Sequence, residues 1–195
     1  MAATYADSVT PAHVLECAPE EGILIAMSTL VAPSDTVIVT WPAYQSLYEV
    51  ARARGGMLLK WEARGAVTFD VADLEAQIAA AGGSVKLIVI NFPHNPTGAW
   101  LSPADLARVV TAARNAGAWL FSDEMYRGLE HGEAAPLPSA CEVYERAVCL
   151  SGMSKVYALP GLRMGWLVSR DEAFMQQAAG YKDYTTICGS APSQV

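Results

Sequence analysis

Short apolar runs, many of them rich in β-branched residues, alternate along the chain with longer segments that carry the hydrophobic period of a helix. The short runs predict strands and the longer segments predict helices. The predicted strands are TVIVT (36–40), MLLKW (57–61), KLIVINF (86–92), AWLFSD (118–123), RAVCLS (146–151) and MGWLVS (164–169). The predicted helices are YQSLYEVARARG (44–55), VADLEAQIAAAGG (71–83) and SPADLARVVTAARNAG (102–117), the last with Ser102 as N-cap.

This alternation predicts an α/β fold with a mostly parallel sheet that is built from βαβ units and flanked by helices. Strands that are apolar almost throughout are typical of a sheet covered on both faces. Ligands of such sheets bind beyond the carboxyl ends of the strands. The residues that directly follow each strand are therefore the candidates for a functional site.

The composition is that of a folded domain. The chain has 195 residues, of which 52% are hydrophobic, and this is enough for one domain with a substantial core. The net charge of −7 argues against binding to nucleic acid and against docking on an anionic membrane. The longest apolar runs, such as GILIAM (22–27) and LIVI (87–90), are too short to span a bilayer.

Two further features indicate a cytoplasmic protein. The first residues, MAATYADSVT, contain no basic segment followed by an apolar stretch, so we expect no secretory signal. The four cysteines have neither CxxC spacing nor a histidine partner, and we interpret them as reduced and mostly structural.

Polar side chains cluster after four of the predicted strands, in WPAY (41–44), NFPHNPTG (91–98), DEMY (123–126) and SGMSK (151–155). One edge of the sheet is therefore expected to gather an indole, an amide, a carboxylate, a phenol and a lysine. The chain lacks the GxGxxG, GxxxxGK[ST] and GxSxG patterns of dinucleotide, P-loop and esterase sites, and its three histidines lack HExxH-like spacing. We therefore expect no metal site and no Ser-His-Asp triad.

Lys155 lies among small and apolar residues at the end of a predicted strand. A lysine near a carboxylate and a phenol suits Schiff-base chemistry, because a desolvated amine with a lowered pKa attacks an aldehyde. Pyridoxal 5′-phosphate supplies such an aldehyde. We therefore predict that Lys155 binds this cofactor covalently.

The other strand-end residues match the remaining groups of that cofactor. Asp123 is placed to keep the ring nitrogen protonated. Asn95 and Tyr126 can donate hydrogen bonds to the phenolate oxygen of the ring. Ser154 and Arg163 suit the phosphate, which needs hydroxyl groups and a bidentate cation.

With these motifs in place, the chain resembles the class I/II aminotransferases, which are fold type I pyridoxal-phosphate enzymes. NPTG (95–98) resembles the family's cofactor loop, and DEMY (123–126) resembles its D-x-x-Y element. SGMSKVYALPGLRMGW (151–166) resembles its lysine segment, in which the phosphate-binding arginine follows the lysine by 8 residues, as Arg163 follows Lys155. The resemblance runs from about residue 14 to the end of the chain.

The resemblance also implies roles for two other segments. WPAY (41–44) resembles the element whose aromatic side chain stacks on the cofactor ring, with Trp41 as the first match and Tyr44 as the second. CAPEEG (17–22) stands where the family has a turn whose backbone N–H groups hold the phosphate, which makes Pro19 and Glu20 candidate contacts. Two departures concern this phosphate site, since Pro19 has no N–H to donate and Gly152 occupies a position where the family often has a hydroxyl.

The resemblance carries expectations about the whole protein as well. Residues 1–195 are expected to form a single, partial cofactor-binding large domain, with the family's N-terminal arm and C-terminal small domain absent from this sequence. A homodimer is expected, because the family's sites lie at the subunit interface.

The implied function is that of an amino acid aminotransferase-like enzyme, which exchanges an amino group between an amino acid and a 2-oxo acid. Lys155 would act as general base and acid, with Asp123 and Tyr126 as the other catalytic residues. One alternative is a lyase or cyclase that acts on an amino acid with the same cofactor. KDYTT (182–186) and EMYRGLE (124–130) resemble capreomycidine-synthase-like enzymes, which cyclise an arginine derivative in antibiotic biosynthesis. Another alternative is a truncated remnant that binds the cofactor without turnover.

Overall fold

The computed structural model describes residues 4–6, 8–65, 67–131 and 137–194. The strands in these residues are β1 (Val14–Cys17), β2 (Thr36–Trp41), β3 (Met57–Glu62), β4 (Leu87–Asn91), β5 (Trp119–Asp123), β6 (Ala147–Gly152) and β7 (Gly165–Val168). The helices are α1 (Pro19–Leu30), α2 (Ser46–Ala53), α3 (Val71–Ala80), α4 (Pro103–Ala116), α5 (Ala140–Val143) and α6 (Glu172–Lys182). No helix of this described part is both long enough and apolar enough to cross a bilayer.

The strands form one sheet in the order β1-β7-β6-β5-β4-β2-β3. Neighbouring strands from β6 to β3 run parallel, whereas β7 is antiparallel to both β6 and β1. The prediction of a mostly parallel sheet flanked by helices is therefore confirmed. Because β2, β4, β5 and β6 run in the same direction, their carboxyl ends lie along one edge of the sheet.

The core consists of two apolar layers, one on each face of the sheet. In β2, Val37 and Val39 belong to the layer beneath α1, α2 and α6, while Ile38 belongs to the layer beneath α3 and α4. Successive side chains of a strand point to opposite faces. Burial on both faces therefore requires the unbroken apolar runs that the sequence shows.

The predicted elements are present with small shifts at their ends. Ser102 Oγ accepts a hydrogen bond from Asp105 N at 3.1 Å and caps α4, as predicted. The helix predicted for residues 44–55 begins only at Ser46, because Tyr44 belongs to the turn after β2. The helix predicted for residues 71–83 ends at Ala80, before two glycines with left-handed backbone.

The elements predicted from the sequence did not include β1, α1, α5 or α6. β1 has four residues, too few for a clear alternation. α6 contains Gly180 in its last turn, and glycine weakens the helical pattern. These elements are stabilised by packing, since α1 and α6 contribute Ile25 and Phe174 to the same apolar layer.

Candidate active site

A cavity of about 240 Å³ lies at the carboxyl edge of the sheet, where β5 and β6 end and α1 begins. Eight of the nine residues predicted to bind the cofactor line it. The lining consists of Pro19, Glu20, Ile23, Tyr44, Asn95, Asp123, Met125, Tyr126, Leu150, Ser154, Lys155, Pro160 and Arg163. The remaining predicted residue, Trp41, is not part of this lining.

Asn91 fixes the relative position of two of these residues. It is the last residue of β4 and is buried. Its Nδ2 donates to the carbonyl oxygen of Asp123 at 2.9 Å, and its Oδ1 accepts from the backbone N–H of Asn95 at 2.7 Å. This role of Asn91 was not predicted from the sequence, although an amide at the end of an otherwise apolar buried strand is the signal that points to it.

Asp123 ends β5 and is 5% exposed. Burial raises the pKa of its carboxyl to about 7, and the nearby carboxylates of Glu124 and Glu20 add to the shift. The N–H of Met125, which donates to Asp123 Oδ1 at 3.1 Å, and the charge of Lys155 act in the opposite direction. A buried carboxyl in this state is stabilised in its ionised form by any cation that enters the cavity.

Lys155 lies in the loop that follows β6. The loop is held by a hydrogen bond from Ala158 N to the carbonyl oxygen of Lys155 at 3.0 Å and by one from Leu159 N to Met153 O at 2.9 Å. Lys155 Nζ lies 5.8 Å from the centroid of the Tyr126 ring. Lys155 is exposed, so the expectation of a desolvated lysine is wrong for this structure.

Part of the cavity lining supplies groups that suit an anion. Ser154 Oγ is buried and has no hydrogen-bond partner among the described residues. Arg163 is exposed and lines the same cavity, and its Nη1 donates to Pro160 O at 3.3 Å. Glu20 lies in the first turn of α1, whose N-cap residue Ala18 supplies no capping side chain. These donors face the same cavity, and the amides at a helix N-terminus favour an anion.

Pro19 and Gly152, the two residues that depart from the family pattern at the phosphate site, pack against each other. Pro19 is the first residue of α1, and its ring lies against Gly152 of β6 and Gly165 of β7. A Cβ atom at Gly152 would lie 2.9 Å from Pro19 Cγ, and one at Gly165 would lie 2.7 Å from the same atom. The proline ring, together with Met164 O at 3.0 Å and Gly165 Cα at 3.1 Å, leaves no room for a Cβ at position 152, where the family often has a hydroxyl.

Tyr44, and not Trp41, reaches the cavity from the turn after β2. Trp41 still belongs to β2, and its ring packs edge-on against Tyr48 of α2 with the ring centroids 5.0 Å apart. Lys60 Nζ lies 3.8 Å from the centroid of the Trp41 ring. Trp41, the first candidate for stacking on the cofactor ring, therefore lies outside the cavity lining, whereas the second candidate, Tyr44, is part of it.

Glu20 places a carboxylate in the cavity wall. Tyr44 Oη donates to Glu20 Oε2 at 3.1 Å, and Ser46 Oγ donates to Glu20 Oε1. Burial and the neighbouring Glu20 raise the pKa of the Tyr44 hydroxyl. These bonds tie the turn after β2 to the first turn of α1 across the cavity wall.

Comparison with known proteins identifies the protein family to which this chain belongs. The model of the aminotransferase class I and II family matches residues 17–195, and the chain belongs to that family. Members of this family depend on pyridoxal 5′-phosphate, which confirms at the level of the family the cofactor that the sequence predicted.

Individual relatives agree with this assignment. The chain is 34% identical to capreomycidine synthase from Streptomyces vinaceus and 31% identical to a probable N-succinyldiaminopimelate aminotransferase from Mycobacterium tuberculosis. The alignments cover 91% and 89% of this chain, but only 45% and 44% of those relatives. A pyridoxal-phosphate-dependent aminotransferase from Streptococcus suis has a similar structure, with a TM-score of 0.90 and 31% identity. That match covers 98% of this chain and 50% of the other, so the chain spans about half the length of the proteins it resembles.

Proposed function

We propose that this chain forms the cofactor-binding part of a pyridoxal-phosphate-dependent aminotransferase, which transfers an amino group between an amino acid and a 2-oxo acid. The observation that carries the proposal is that separate strand ends bring their chemically distinct side chains into one cavity. The residues concerned are Asn95, Asp123, Tyr126, Ser154, Lys155 and Arg163.

Two features of the cavity fit this cofactor. Asp123 is a buried carboxyl whose raised pKa would be lowered by a protonated ring nitrogen. Ser154 Oγ is a buried hydroxyl without a partner among the described residues, and the exposed Arg163 lines the same cavity; a hydroxyl and a guanidinium are groups that bind a phosphate. Lys155 lines the same cavity, as expected for a residue that attaches to the aldehyde.

Each residue then has a defined task. When bound, the cofactor supplies an aldehyde for attachment and an electron sink for the reaction. Lys155 Nζ is the attachment atom and afterwards the general base and acid that moves the proton at the substrate Cα. Asp123 holds the proton at the ring nitrogen, and Asn95 and Tyr126 donate to the ring oxygen. Tyr44 takes the place against the ring face that the sequence gave first to Trp41.

Glu20 and Pro19 define the phosphate end of the proposed site. Pro19 donates no hydrogen bond, so the donors from this turn are reduced to the backbone amides that follow it. We propose that Ser154 and Arg163 provide the main phosphate contacts and that the amide of Glu20 adds to them.

The organisation of the whole protein is part of the proposal. We propose that residues 1–195 correspond to one large, cofactor-binding domain and that the protein is a cytoplasmic homodimer. Large apolar side chains are exposed near the cavity, including Tyr44 at 42%, Tyr157 at 46% and Leu159 at 47%. A dimer that covers them would also desolvate Lys155. Sedimentation analysis would detect such a dimer.

A second candidate is a lyase or cyclase reaction on an amino acid with the same cofactor. The similarity to capreomycidine synthase favours it, since that relative is 34% identical over 179 residues. Such a reaction would use the same lysine and aspartate, so the cavity fits both candidates. They differ in what happens to the amino group of the substrate.

A single-turnover experiment distinguishes the candidates. The chain is loaded with pyridoxal 5′-phosphate and mixed with amino acids, one at a time, without a 2-oxo acid. An aminotransferase releases one 2-oxo acid per bound cofactor and leaves the cofactor in its amine form. A lyase or cyclase releases its product and returns the aldehyde form, and a remnant that only binds the cofactor gives neither product. The Lys155→Ala variant is the control, and it should release no 2-oxo acid.

A further inference from the structure

A polar network around two largely buried charged side chains lies at the first turn of α1, outside the cavity lining. Glu21 and Lys182 have side chains that are 9% and 8% exposed, and Lys182 Nζ lies 3.7 Å from Glu21 Oε1. Glu21 Oε1 also accepts hydrogen bonds from Thr186 Oγ1 at 2.7 Å, from Thr186 N at 3.2 Å and from Thr185 Oγ1. Lys182 Nζ in turn donates to Thr186 Oγ1 at 2.7 Å. This network joins α1 to the segment that follows α6.

The second carboxylate oxygen of Glu21 reaches the turn itself. Glu21 Oε2 accepts a hydrogen bond from Ala18 N at 3.1 Å. Ala18 is the N-cap of α1, and it directly precedes Pro19 and Glu20 in the cavity wall. Glu21 therefore holds the turn from behind while its side chain stays out of the cavity.

The network keeps Glu21 charged. Burial by itself would raise the pKa of this carboxyl, but the hydrogen bonds from Thr185, Thr186 and Ala18 outweigh burial and hold the pKa below its ordinary value. A charged carboxylate with several donors has one well-defined position, since every displacement weakens several charge-assisted bonds together. Because Ala18 N donates to this carboxylate, the position of the turn is fixed as well.

The placement of the turn matters because it has few donors. Pro19 has no N–H, and the N–H of Ala18 is bonded to Glu21. The amides of Glu20 and Glu21 are therefore the first-turn donors left to an anion. With so few donors, a small rotation of the turn removes a large part of its contribution to anion binding.

We propose that Glu21 is a positioning residue for the phosphate end of the cofactor site, and that it acts by fixing the turn Ala18–Glu20 against the segment Lys182–Thr186. This inference rests on the proposed function, because it assumes that the cavity binds pyridoxal 5′-phosphate. It adds Lys182, Thr185 and Thr186 to the residues that determine cofactor affinity, although none of them lines the cavity.

The experiment removes the two hydroxyls and leaves the ion pair in place. We expect the Thr185→Val/Thr186→Val double variant to bind pyridoxal 5′-phosphate about fivefold more weakly than the unaltered chain. This factor corresponds to losing about the net free energy of one hydrogen bond that holds the turn in place. Its affinity for pyridoxal, which lacks the phosphate, should be unchanged. Both affinities are measured by absorbance titration of the 195-residue chain.

Two control variants separate positioning from general destabilisation. Thr29→Val removes a hydroxyl that donates to Ile25 O at 2.8 Å in the same helix, far from the turn, and should leave both affinities unchanged. Thr185→Ser/Thr186→Ser keeps both hydroxyls and should bind the phosphorylated cofactor like the unaltered chain. If the double valine variant does not fold, as judged by circular dichroism, the single Thr186→Val variant replaces it with the same expected difference between the two ligands.

Two results would overturn the inference while leaving the proposed function intact. In the first, the valine variant binds pyridoxal 5′-phosphate as tightly as the unaltered chain. In the second, it loses affinity for both ligands by the same factor. If the unaltered chain binds neither ligand at Lys155, the proposed function fails and this inference fails with it.

Discussion

At the scale of single residues, the charge of Asp123 depends on what occupies the cavity. Its carboxyl is buried at the end of β5, and its pKa is raised to about 7 mainly by burial. A protonated ring nitrogen beside it would restore the ionised form. The titration of Asp123 in the chain without cofactor is therefore a direct probe of the site.

We expect the stability of the cofactor-free chain to fall, relative to that of Asp123→Asn, as the pH rises from about 4 to about 7. The folded carboxyl keeps its proton up to a pKa of about 7, whereas the unfolded carboxyl loses it near 3.8. In this window the unfolded state binds fewer protons, so the free energy of unfolding decreases with pH. The complete difference amounts to about 4 kcal/mol.

Urea unfolding of both proteins at several pH values measures this difference. Other buried groups, such as His94, whose pKa burial lowers to about 4, titrate in both proteins and cancel in the comparison. Adding pyridoxal 5′-phosphate should remove the decrease for the unaltered chain. Parallel pH profiles for the two cofactor-free proteins would show that Asp123 does not titrate in this way.

A second prediction at this scale concerns which aromatic side chain, Tyr44 or Trp41, contacts the cofactor ring. We expect Tyr44→Leu to weaken binding of pyridoxal 5′-phosphate by about two- to tenfold, because an aromatic contact with the ring is lost. Trp41→Leu should leave that affinity unchanged and should lower the stability, since Trp41 packs on Tyr48 and Lys60. The reverse pattern in absorbance titrations would return the stacking role to Trp41.

These residues also show what the sequence could predict of the site. The strand-end rule predicted Asn95, Asp123, Ser154 and Lys155 as neighbours, and the structure brings them to one cavity. The rule could not choose between Trp41 and Tyr44, because the path of the chain after β2 decides which ring turns inward.

At the scale of elements, the start of α1 packs directly on the strands that carry the lysine loop. Pro19 contacts β6 and β7 where both strands have glycine, so the proline and the two glycines depend on one another. The sequence shows Pro19 and Gly152 as separate departures from the family pattern. Only the packing reveals that one explains the other.

We expect Gly152→Ala to destabilise the chain by about 1–3 kcal/mol, because the new Cβ would lie 2.9 Å from Pro19 Cγ and 3.0 Å from Met164 O. In a Pro19→Ala background the cost should be smaller, since the closest of these contacts is gone. A double-mutant cycle by urea unfolding measures this coupling. Equal costs in both backgrounds would mean that the proline ring does not determine the need for glycine.

Element prediction from the sequence followed the strength of the local pattern. The apolar strands and the capped helix α4 were predicted almost to the residue, because burial on both faces and the Ser102 cap leave clear signals. β1 and α6 are short or interrupted by glycine, and they form through contacts that are distant in sequence. Local hydrophobic patterns in the sequence cannot predict contacts between residues that are distant along the chain.

At the scale of the whole molecule, the fold class followed from the alternation of elements, but the polar networks did not. Glu21 and Thr186 are 165 positions apart, and their contact depends on the packing of α6 beside α1. Asn91 likewise acts between two strands and a loop. Such hydrogen-bond networks can be identified only once the positions of the residues in space are known, whereas the sheet can be predicted from the hydrophobic periodicity of the sequence.

The central claim is that the carboxyl edge of the sheet binds pyridoxal 5′-phosphate through Lys155. The most direct measurement is to incubate the chain with the cofactor, reduce it with borohydride and locate the cofactor-modified residue by peptide mass spectrometry. We predict one modified lysine, Lys155, and no stable modification in Lys155→Ala. Modification of another lysine with Lys155 untouched, or no modification at all, would contradict the account.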